Sequence, residues 1–336
     1  MQSQIPPSIN SGQMKYQYCG QSGLRLPSIS LGLWHNFYQE ANKENMEKII
    51  STAFNHGITY FDLANTYGIP HGSAEENFGQ ILDHELIGHR DELVISTKAG
   101  YPMWSGPYGD GGSRKYLVSS CEQSLKRLKV DYVDIFYHHR PDPHTPLEET
   151  LGALKQIVVS GKALYAGISN YPAPLATEAA EIAKKLQFPL IVNQVRYSIL
   201  EQPEDVDFLN AMASAGLGVV CFSPLAQGLL SDRYLKGDVP EGSRASYSRF
   251  LTPQSITPDL VEILNNLDRF AQTRGQSLAQ MSLSWLLQEK RIVSVLLGVS
   301  SVYQLEQDLE VLSTPTDFSI PELQAIQDIV NSLRAH

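Results

Sequence analysis

The sequence predicts an α/β protein with the (β/α)8 TIM barrel fold. Eight short apolar runs with strand character each precede a segment of helical periodicity, so a strand-then-helix unit recurs eight times. No Gly-x-Gly-x-x-Gly turn follows the first of these strands, and this argues against an open, doubly wound sheet, the main alternative for the pattern. Polar and titratable residues gather where the predicted strands end, which is where such barrels carry their active sites.

The predicted elements follow one another in a regular order. Residues 14–28 indicate an N-terminal β-hairpin, because Tyr16 and Tyr18 alternate with polar residues before a turn at 21–23. Residues 29–33 then form the first barrel strand, and a helical pattern runs from Met46 to Phe54. The other strand and helix pairs are 60–62 with 74–86, 93–97 with 116–128, 134–137 with 147–159, 163–168 with 176–186, 191–195 with 206–215, 219–222 with helical segments between 260 and 287, and 294–297 with 304–312. Residues 321–333 predict an extra C-terminal helix.

Composition is that of an ordinary globular protein. The chain has 336 residues, of which 42% are hydrophobic and 18% charged, enough apolar residues for a large core. Residues 1–13, with two prolines and several polar side chains, predict a loose N-terminal arm. Because no stretch rich in Gly, Pro or Ser divides the remainder, we expect residues 14–336 to form a single domain.

Charge and cysteine usage restrict the partners. The formal net charge of −10 argues against nucleic acid and requires that an anionic ligand be held by local cations. The apolar runs are too short to span a bilayer and no signal peptide is visible, so we expect no membrane partner. Cys19, Cys121 and Cys221 predict neither a metal site nor a disulfide framework, and they fit a reducing cytoplasm. The oligomeric state stays open, and a homo-oligomer is compatible with the sequence.

Three consecutive predicted strands end in chemically active residues. These are Asp62, Lys98 and His139, and Tyr67 follows shortly after the first strand. Since a buried carboxylate is costly without a cation, we expect Asp62 to pair with Lys98. Taken singly, the ion pair can be structural and Tyr67 can be a packed loop aromatic. Together, at the carboxyl ends of neighbouring strands, the four residues indicate a site that delivers a proton.

Several motifs, in the same order along the chain, resemble those of the aldo-keto reductases. They are FDLANTYG at 61–68, STKAGY at 96–101, GSRKY at 112–116, SPLAQG at 223–228 and LLG at 296–298, and the resemblance covers residues 14–328. The chain looks most similar to the group that contains the bacterial L-glyceraldehyde-3-phosphate reductases. It resembles more distantly the β subunits of voltage-gated potassium channels.

The resemblance implies a role for each of the four residues. Tyr67 is the expected proton donor, with Asp62 anchoring Lys98 and the Lys98 ammonium lowering the Tyr67 pKa. His139 is expected to orient the carbonyl oxygen. The motif count selects His139 over His138, which strand alternation should turn away from the substrate.

The resemblance also implies NADPH as the hydride donor. The residues that it assigns to the cofactor are Trp34, Ser169, Asn170, Gln194, Phe222, Ser223, Pro224, Leu225, Gln227, Gly228, Arg233, Arg244, Gly298, Ser300, Gln304, Gln307 and Asp308. Arg233 and Arg244 are the candidates for the 2′-phosphate, because guanidinium groups suit phosphate oxygens. Asp308 stands where relatives usually carry Asn, and its carboxylate would either oppose that phosphate or prefer a ribose hydroxyl.

The resemblance also implies which residues surround the substrate. Trp34, Tyr101 and Trp104 are expected as aromatic walls, while Arg114 and Lys115 either receive a substrate phosphate or are surface charges at a helix start. The expected activity is NADPH-dependent reduction of small aldehydes, including L-glyceraldehyde 3-phosphate. One alternative is a nucleotide-binding regulatory subunit like the channel β subunits, which carry Asn in place of His139. A Schiff-base isomerase or aldolase is a third, which pairing of the lysine with Asp62 disfavours.

Overall fold

The computed structural model describes residues 13–331. Eight parallel strands close into one barrel, in the spatial order β10-β3-β4-β5-β6-β7-β8-β9, and a two-stranded antiparallel hairpin precedes them. The hairpin strands are β1 (Tyr16–Tyr18) and β2 (Arg25–Pro27); the barrel strands are β3 (Ile29–Gly32), β4 (Tyr60–Asp62), β5 (Val94–Ala99), β6 (Val133–His138), β7 (Ala163–Ser169), β8 (Leu190–Arg196), β9 (Gly218–Phe222) and β10 (Ile292–Leu297). The predicted (β/α)8 barrel with its N-terminal hairpin is confirmed.

Helices follow the barrel strands in the predicted order. They are α1 (Lys43–Asn55), α2 (Ser73–His84), α3 (Arg114–Leu128), α4 (Leu147–Val159), α5 (Ala173–Leu186), α6 (Phe208–Ala215), α7 (Arg244–Tyr247), α8 (Pro258–Thr273), α9 (Leu278–Leu287), α10 (Val302–Leu309) and the extra C-terminal helix α11 (Ile320–Asn331). The short helix α7 was not predicted. Gly275, with a positive φ of 67°, follows the end of α8, and a capping box at Ser277 starts α9.

The hairpin covers the amino-terminal end of the barrel. Tyr16 donates a hydrogen bond from its hydroxyl to the carbonyl of Gly57, just before β4, at 2.8 Å. The amide of Gln21 donates to the carbonyl of Gly216, just before β9, at 3.0 Å. At Gly20 the φ is +58° and an added Cβ would lie 2.3 Å from the Gly216 carbonyl oxygen, so only glycine fits there. The opposite, carboxyl-terminal end is left for the loops that carry function.

The described residues divide into two compact units. The first comprises residues up to 195 together with 203–222 and 291–305, and it holds the barrel apart from the last residue of β8. The second comprises 196–202, 223–290 and 306 onward. Its own apolar core is formed by side chains from α8, α9, α11 and the segment after β9, among them Tyr234, Leu264, Met281 and Ile326. A single domain over 14–336 stays a prediction, and the predicted arm lies, apart from residue 13, outside the described residues.

Two further observations concern the whole of the described chain. Within residues 13–331, no helix combines the length and the apolar character needed to cross a membrane. Cys19, Cys121 and Cys221 are buried free thiols. Burial raises the pKa of both Cys19 and Cys121 to about 12, so these thiols stay protonated and unreactive at neutral pH.

Candidate active site

A buried ion pair forms the base of the site. Asp62 ends β4, and Lys98 lies near the end of the neighbouring strand β5. The Lys98 Nζ donates hydrogen bonds to Asp62 Oδ2 at 2.5 Å and to the Leu63 carbonyl at 2.8 Å. Burial lowers the Lys98 pKa, and the carboxylate opposes this shift. Pairing therefore keeps a positive charge in a place where an isolated ammonium would be costly.

The second oxygen of the carboxylate is bonded by neutral groups. Asp62 Oδ1 accepts hydrogen bonds from Ser96 Oγ at 2.6 Å and from Gln194 Nε2 at 3.0 Å. The Tyr60 hydroxyl lies 3.4 Å from the same oxygen and 2.9 Å from the Tyr137 hydroxyl. A buried carboxylate needs such partners for its lone pairs, so this network fixes the position of the group that anchors Lys98.

Tyr67 lies above the lysine. The Lys98 Nζ is 5.1 Å from the centroid of the Tyr67 ring, and the tyrosine is half-buried. The pKa of Tyr67 is raised well above its ordinary value, by burial first and then by the charges of Asp62 and Tyr101. The expectation that the Tyr67 pKa is lowered by Lys98 is therefore wrong. Removal from water disfavours the phenolate, and the paired carboxylate offsets the ammonium.

His139, the residue directly after β6, lies beside Tyr67. Its ring centroid is 5.9 Å from that of Tyr67 and 4.7 Å from that of Tyr101. The Asn170 side chain donates to the His139 carbonyl at 3.1 Å and so fixes the backbone. Burial, followed by the Lys98 charge, depresses the His139 pKa well below its usual range. The imidazole is thus neutral at physiological pH and has one ring N–H to donate.

His138 has different surroundings. Its Nδ1 is 2.7 Å from the Tyr171 hydroxyl, and its ring lies against Gly112, where an added Cβ would come within 3.1 Å. Burial lowers its pKa to about 4. The contacts of His138 therefore differ from those of His139, as strand alternation predicts. The assignment of His139 as the substrate-facing residue agrees with its proximity to Tyr67.

The residues predicted to hold the nicotinamide lie at the ends of β7 and β8. Ser169 Oγ and the Asn170 amide both donate to the Gln194 carbonyl at 2.9 Å. Asn170 has a positive φ of 60°, which directs its side chain back toward Ser169 Oγ at 3.1 Å. The Gln194 amide nitrogen is bound to Asp62. The structure thus gives Gln194 a contact with the Asp62 carboxylate that the sequence did not suggest.

Further cofactor candidates of the first unit belong to β9, to the loop after β10 and to the first turn of α10. Phe222 ends β9 and is half-buried against the barrel-interior cluster. Gly298 is exposed, and an added Cβ there would meet nothing within 4 Å. Gln304 Oε1 accepts from the amide of Ser300 at 3.1 Å and lies 3.2 Å from its hydroxyl. Gly298 therefore leaves open space in this loop, whereas the Ser300 amide is already bonded to Gln304.

The candidate loop of the second unit has an irregular backbone. It comprises Ser223, Pro224, Leu225, Ala226, Gln227 and Gly228, and φ is positive at four of these residues, with values of 55°, 46°, 62° and 95° at Ser223, Ala226, Gln227 and Gly228. The Gln227 side chain donates to the Phe250 carbonyl at 3.3 Å. Successive amides in such conformations form concave anion sites in many proteins.

The two candidate arginines differ in exposure. Arg233 is exposed, whereas Arg244 begins α7, is half-buried and lies 5.8 Å from the centroid of the Tyr247 ring. Burial lowers the Arg244 pKa from its ordinary value, although a guanidinium stays charged at neutral pH. Gln307 is exposed and donates to Glu310 at 2.9 Å, and Asp308 is buried. Arg244 is therefore the better held of the two cations.

Aromatic side chains surround the catalytic group. Trp34 lies 6.1 Å from Tyr67 between ring centroids, and Trp104 lies 5.1 Å from Tyr116. The buried Tyr116 hydroxyl donates to the Tyr101 carbonyl at 2.6 Å and so links two of these residues. Trp34 and Tyr101 thus lie beside Tyr67 and His139, and Tyr116 links Trp104 to Tyr101.

Arg114 and Lys115, at the start of α3, contact two different parts of the chain. Arg114 Nη1 donates to the Gln156 side chain at 2.8 Å and to the Gly152 carbonyl at 3.2 Å, both on α4. Lys115 is exposed, and its Nζ lies 5.3 Å from the centroid of the Tyr108 ring. The contacts of Arg114 favour the alternative interpretation of this residue as a surface charge at the start of α3.

The hydroxyl network under Asp62 was missed from the sequence, although a signal was present. Tyr60, Ser96 and Tyr137 each lie two residues before a member of the catalytic set, on three consecutive strands. Residues two apart on a strand share a face, so these three side chains also point into the barrel. The alternation that predicts the positions of Asp62, Lys98 and His139 therefore also predicts the hydroxyl-bearing side chains two residues before them.

A (β/α)8 barrel with buried Asp and Lys, Tyr and His at its carboxyl-terminal end defines an oxidoreductase of the carbonyl-reducing class. The sequence profile of the Aldo/keto reductase family matches residues 28–331, and the chain belongs to this family. It is 51% identical over 320 residues to the L-glyceraldehyde 3-phosphate reductase of Escherichia coli (strain K12), covering 94% of this chain and 92% of that protein. It is 33% identical over 325 residues to a probable voltage-gated potassium channel subunit beta of Arabidopsis thaliana, covering 95% and 97%.

Proposed function

We propose that the protein reduces small aldehydes with NADPH and that L-glyceraldehyde 3-phosphate is among its substrates. The observation that carries the proposal is the cluster of Tyr67 and His139 above the buried Asp62–Lys98 pair. The 51% identity to a relative named for this substrate supports the choice of aldehyde.

In the proposed reaction Tyr67 is the general acid. When bound, the nicotinamide supplies a hydride to the carbonyl carbon, and the Tyr67 hydroxyl gives its proton to the carbonyl oxygen. Because the Tyr67 pKa is raised, the proton stays on the phenol until negative charge develops on the substrate. The Lys98 Nζ, 5.1 Å from the centroid of the Tyr67 ring, offsets part of the cost of burying the resulting phenolate until water returns a proton. Neutral His139 donates a hydrogen bond to the same oxygen and orients it.

The residues that would hold NADPH offer suitable chemistry. Ser169 and Asn170 carry hydroxyl and amide groups that match the carboxamide of nicotinamide, and Gly298 leaves space for a close approach to backbone. Arg244 offers a partly buried cation for the 2′-phosphate in a chain of net charge −10. We place the reaction in the cytoplasm, which suits three free thiols.

A substrate panel tests the proposal. The purified protein is mixed with NADPH and with aldehydes, ketones and sugar phosphates, and the loss of NADPH absorbance is followed. We expect rapid oxidation with glyceraldehyde and L-glyceraldehyde 3-phosphate, and slower oxidation with NADH as donor. Absence of turnover with every carbonyl would contradict the proposal.

A regulatory subunit is the second candidate, favoured by the 33% identity to a plant protein named as a channel subunit. His139 argues for the enzyme, because the channel subunits that the sequence resembles carry Asn at this position. Tight NADPH binding without turnover of any aldehyde would favour the regulatory role. A Schiff-base mechanism is less suitable, because Lys98 donates to Asp62 and to the Leu63 carbonyl, and the pairing with Asp62 favours the charged, non-nucleophilic ammonium.

A further inference from the structure

A substrate phosphate needs a cation close to the catalytic group. The net charge of −10 means that the general field of the protein repels such a group, so attraction has to be local. Arg114 donates to residues of α4, and Lys115 is exposed beside the Tyr108 ring. Lys98 is buried in its ion pair with Asp62. Arg140, in the loop after β6, is a cation beside the site.

Arg140 is linked to the catalytic group in two ways. It directly follows His139 in the chain. Its guanidinium carbon also lies 5.2 Å from the centroid of the Tyr101 ring, and that ring contacts His139 at 4.7 Å. The positive charge of Arg140 is one of the causes that depress the His139 pKa, so its field reaches the histidine.

The present partner of Arg140 is exchangeable. Arg140 Nη2 donates to both carboxylate oxygens of Asp110, at 2.9 and 3.1 Å. The two side chains are 29% and 42% exposed, and ion pairs this accessible contribute little to stability. The loop after β5 keeps a second anchor without this pair, since the Gly112 amide donates to Asp142 at 2.7 Å.

A phosphate would compete well for this guanidinium. It presents several oxygens to the planar fork of arginine and carries more negative charge than a single carboxylate. Glyceraldehyde 3-phosphate is a short molecule, so a phosphate receptor has to lie near the residue that holds the carbonyl. The loop of Arg140 meets this condition, because His139 is its neighbour.

We propose that Arg140 is a specificity-determining residue that binds the phosphate of the substrate, and that Asp110 is the carboxylate which the phosphate displaces. This inference rests on the proposed reductase function. The proposal predicts that binding of the phosphorylated substrate weakens when the charge of Arg140 is removed and strengthens when the charge of Asp110 is removed.

The test compares glyceraldehyde with L-glyceraldehyde 3-phosphate in steady-state kinetics. Arg140→Gln should raise KM for the phosphorylated aldehyde by about 10- to 100-fold, the effect of losing a charge-assisted hydrogen bond, and should leave glyceraldehyde nearly unchanged. Asp110→Asn should lower KM for the phosphorylated aldehyde. Lys129→Gln removes a comparable exposed ion pair, that with Asp83, and serves as the matched control with no effect on either substrate.

Inorganic phosphate provides an independent readout. It should inhibit glyceraldehyde reduction competitively in the wild type, and this inhibition should weaken in Arg140→Gln. Equal losses for both aldehydes would show that Arg140 only positions His139 and would overturn the proposal. A wild type that reduces glyceraldehyde but not its phosphate would overturn it while the reductase function stands. A wild type that reduces neither would overturn both.

Discussion

Burial sets the protonation states of Tyr67 and His139, two of the candidate catalytic residues. Tyr67 keeps its proton because its pKa is raised well above the ordinary value, and His139 stays neutral because its pKa is depressed. The sequence indicated which residue types meet, since Asp62, Lys98 and His139 end consecutive strands. It did not indicate the direction of the Tyr67 shift, because this depends on the balance between desolvation and the paired charges around the phenol.

Substitution of the two adjacent histidines tests their assignment. His139→Asn should lower kcat by at least about 10²-fold, because the carbonyl oxygen loses an oriented donor. His138→Asn should retain most of its kcat, since His138 contacts Tyr171 and Gly112. Steady-state kinetics with glyceraldehyde separates the cases. Equal losses of kcat, or a larger loss in His138→Asn, would show that His139 is not the histidine that faces the substrate.

Strand β6 and the residue after it place three consecutive side chains in three different surroundings. It buries Tyr137 inside the barrel and His138 on the other face, and it delivers His139 to the active-site end. The alternation could be predicted from the sequence. The partner of His138 could not, because Tyr171 lies 33 residues away, beyond β7.

The free energy of unfolding at acidic pH should depend on the buried His138. Its pKa falls from the ordinary 6.5 to about 4 on folding, so the unfolded chain binds a proton between these values that the native protein does not. The free energy of unfolding should therefore decrease as pH falls from 6.5 toward 4, by about 3 kcal/mol from this group. Denaturant titrations across this range should show a shallower decline for His138→Asn, whatever its stability at neutral pH. The exposed His144→Asn should follow the wild-type curve, and a parallel decline in all three proteins would contradict the account.

At the scale of the whole molecule, the barrel was predictable because every strand and helix repeats the same local pattern. The hairpin and the extra helix were also predictable, from alternation and helical spacing. Helix α7 was not, since only four residues in a polar segment form it. The contacts of Arg114 with α4 and of Gln194 with Asp62 depend on tertiary packing, which residue type and spacing do not encode.

The preference of the protein for NADPH over NADH is tested by substituting the two candidate arginines. If Arg244 binds the 2′-phosphate, Arg244→Ala should weaken NADPH binding by about 10- to 150-fold, since a hydrogen bond to a charged group contributes roughly 1.5–3 kcal/mol. NADH lacks the phosphate and should hardly respond. Titrations by quenching of protein fluorescence, with Arg233→Ala beside Arg244→Ala, assign the residue. A wild type that binds NADH as tightly as NADPH would exclude a phosphate site.

The central claim is that Tyr67 donates the proton, and Tyr67→Phe tests it most directly because only the hydroxyl is lost. Tyr16→Phe, which removes a hydroxyl at the opposite end of the barrel, is the matched control. The account predicts that kcat for glyceraldehyde falls by at least about 10²-fold in Tyr67→Phe and stays near wild type in the control, with NADPH affinity nearly unchanged in both. A Tyr67→Phe protein that retains most of its kcat would contradict it.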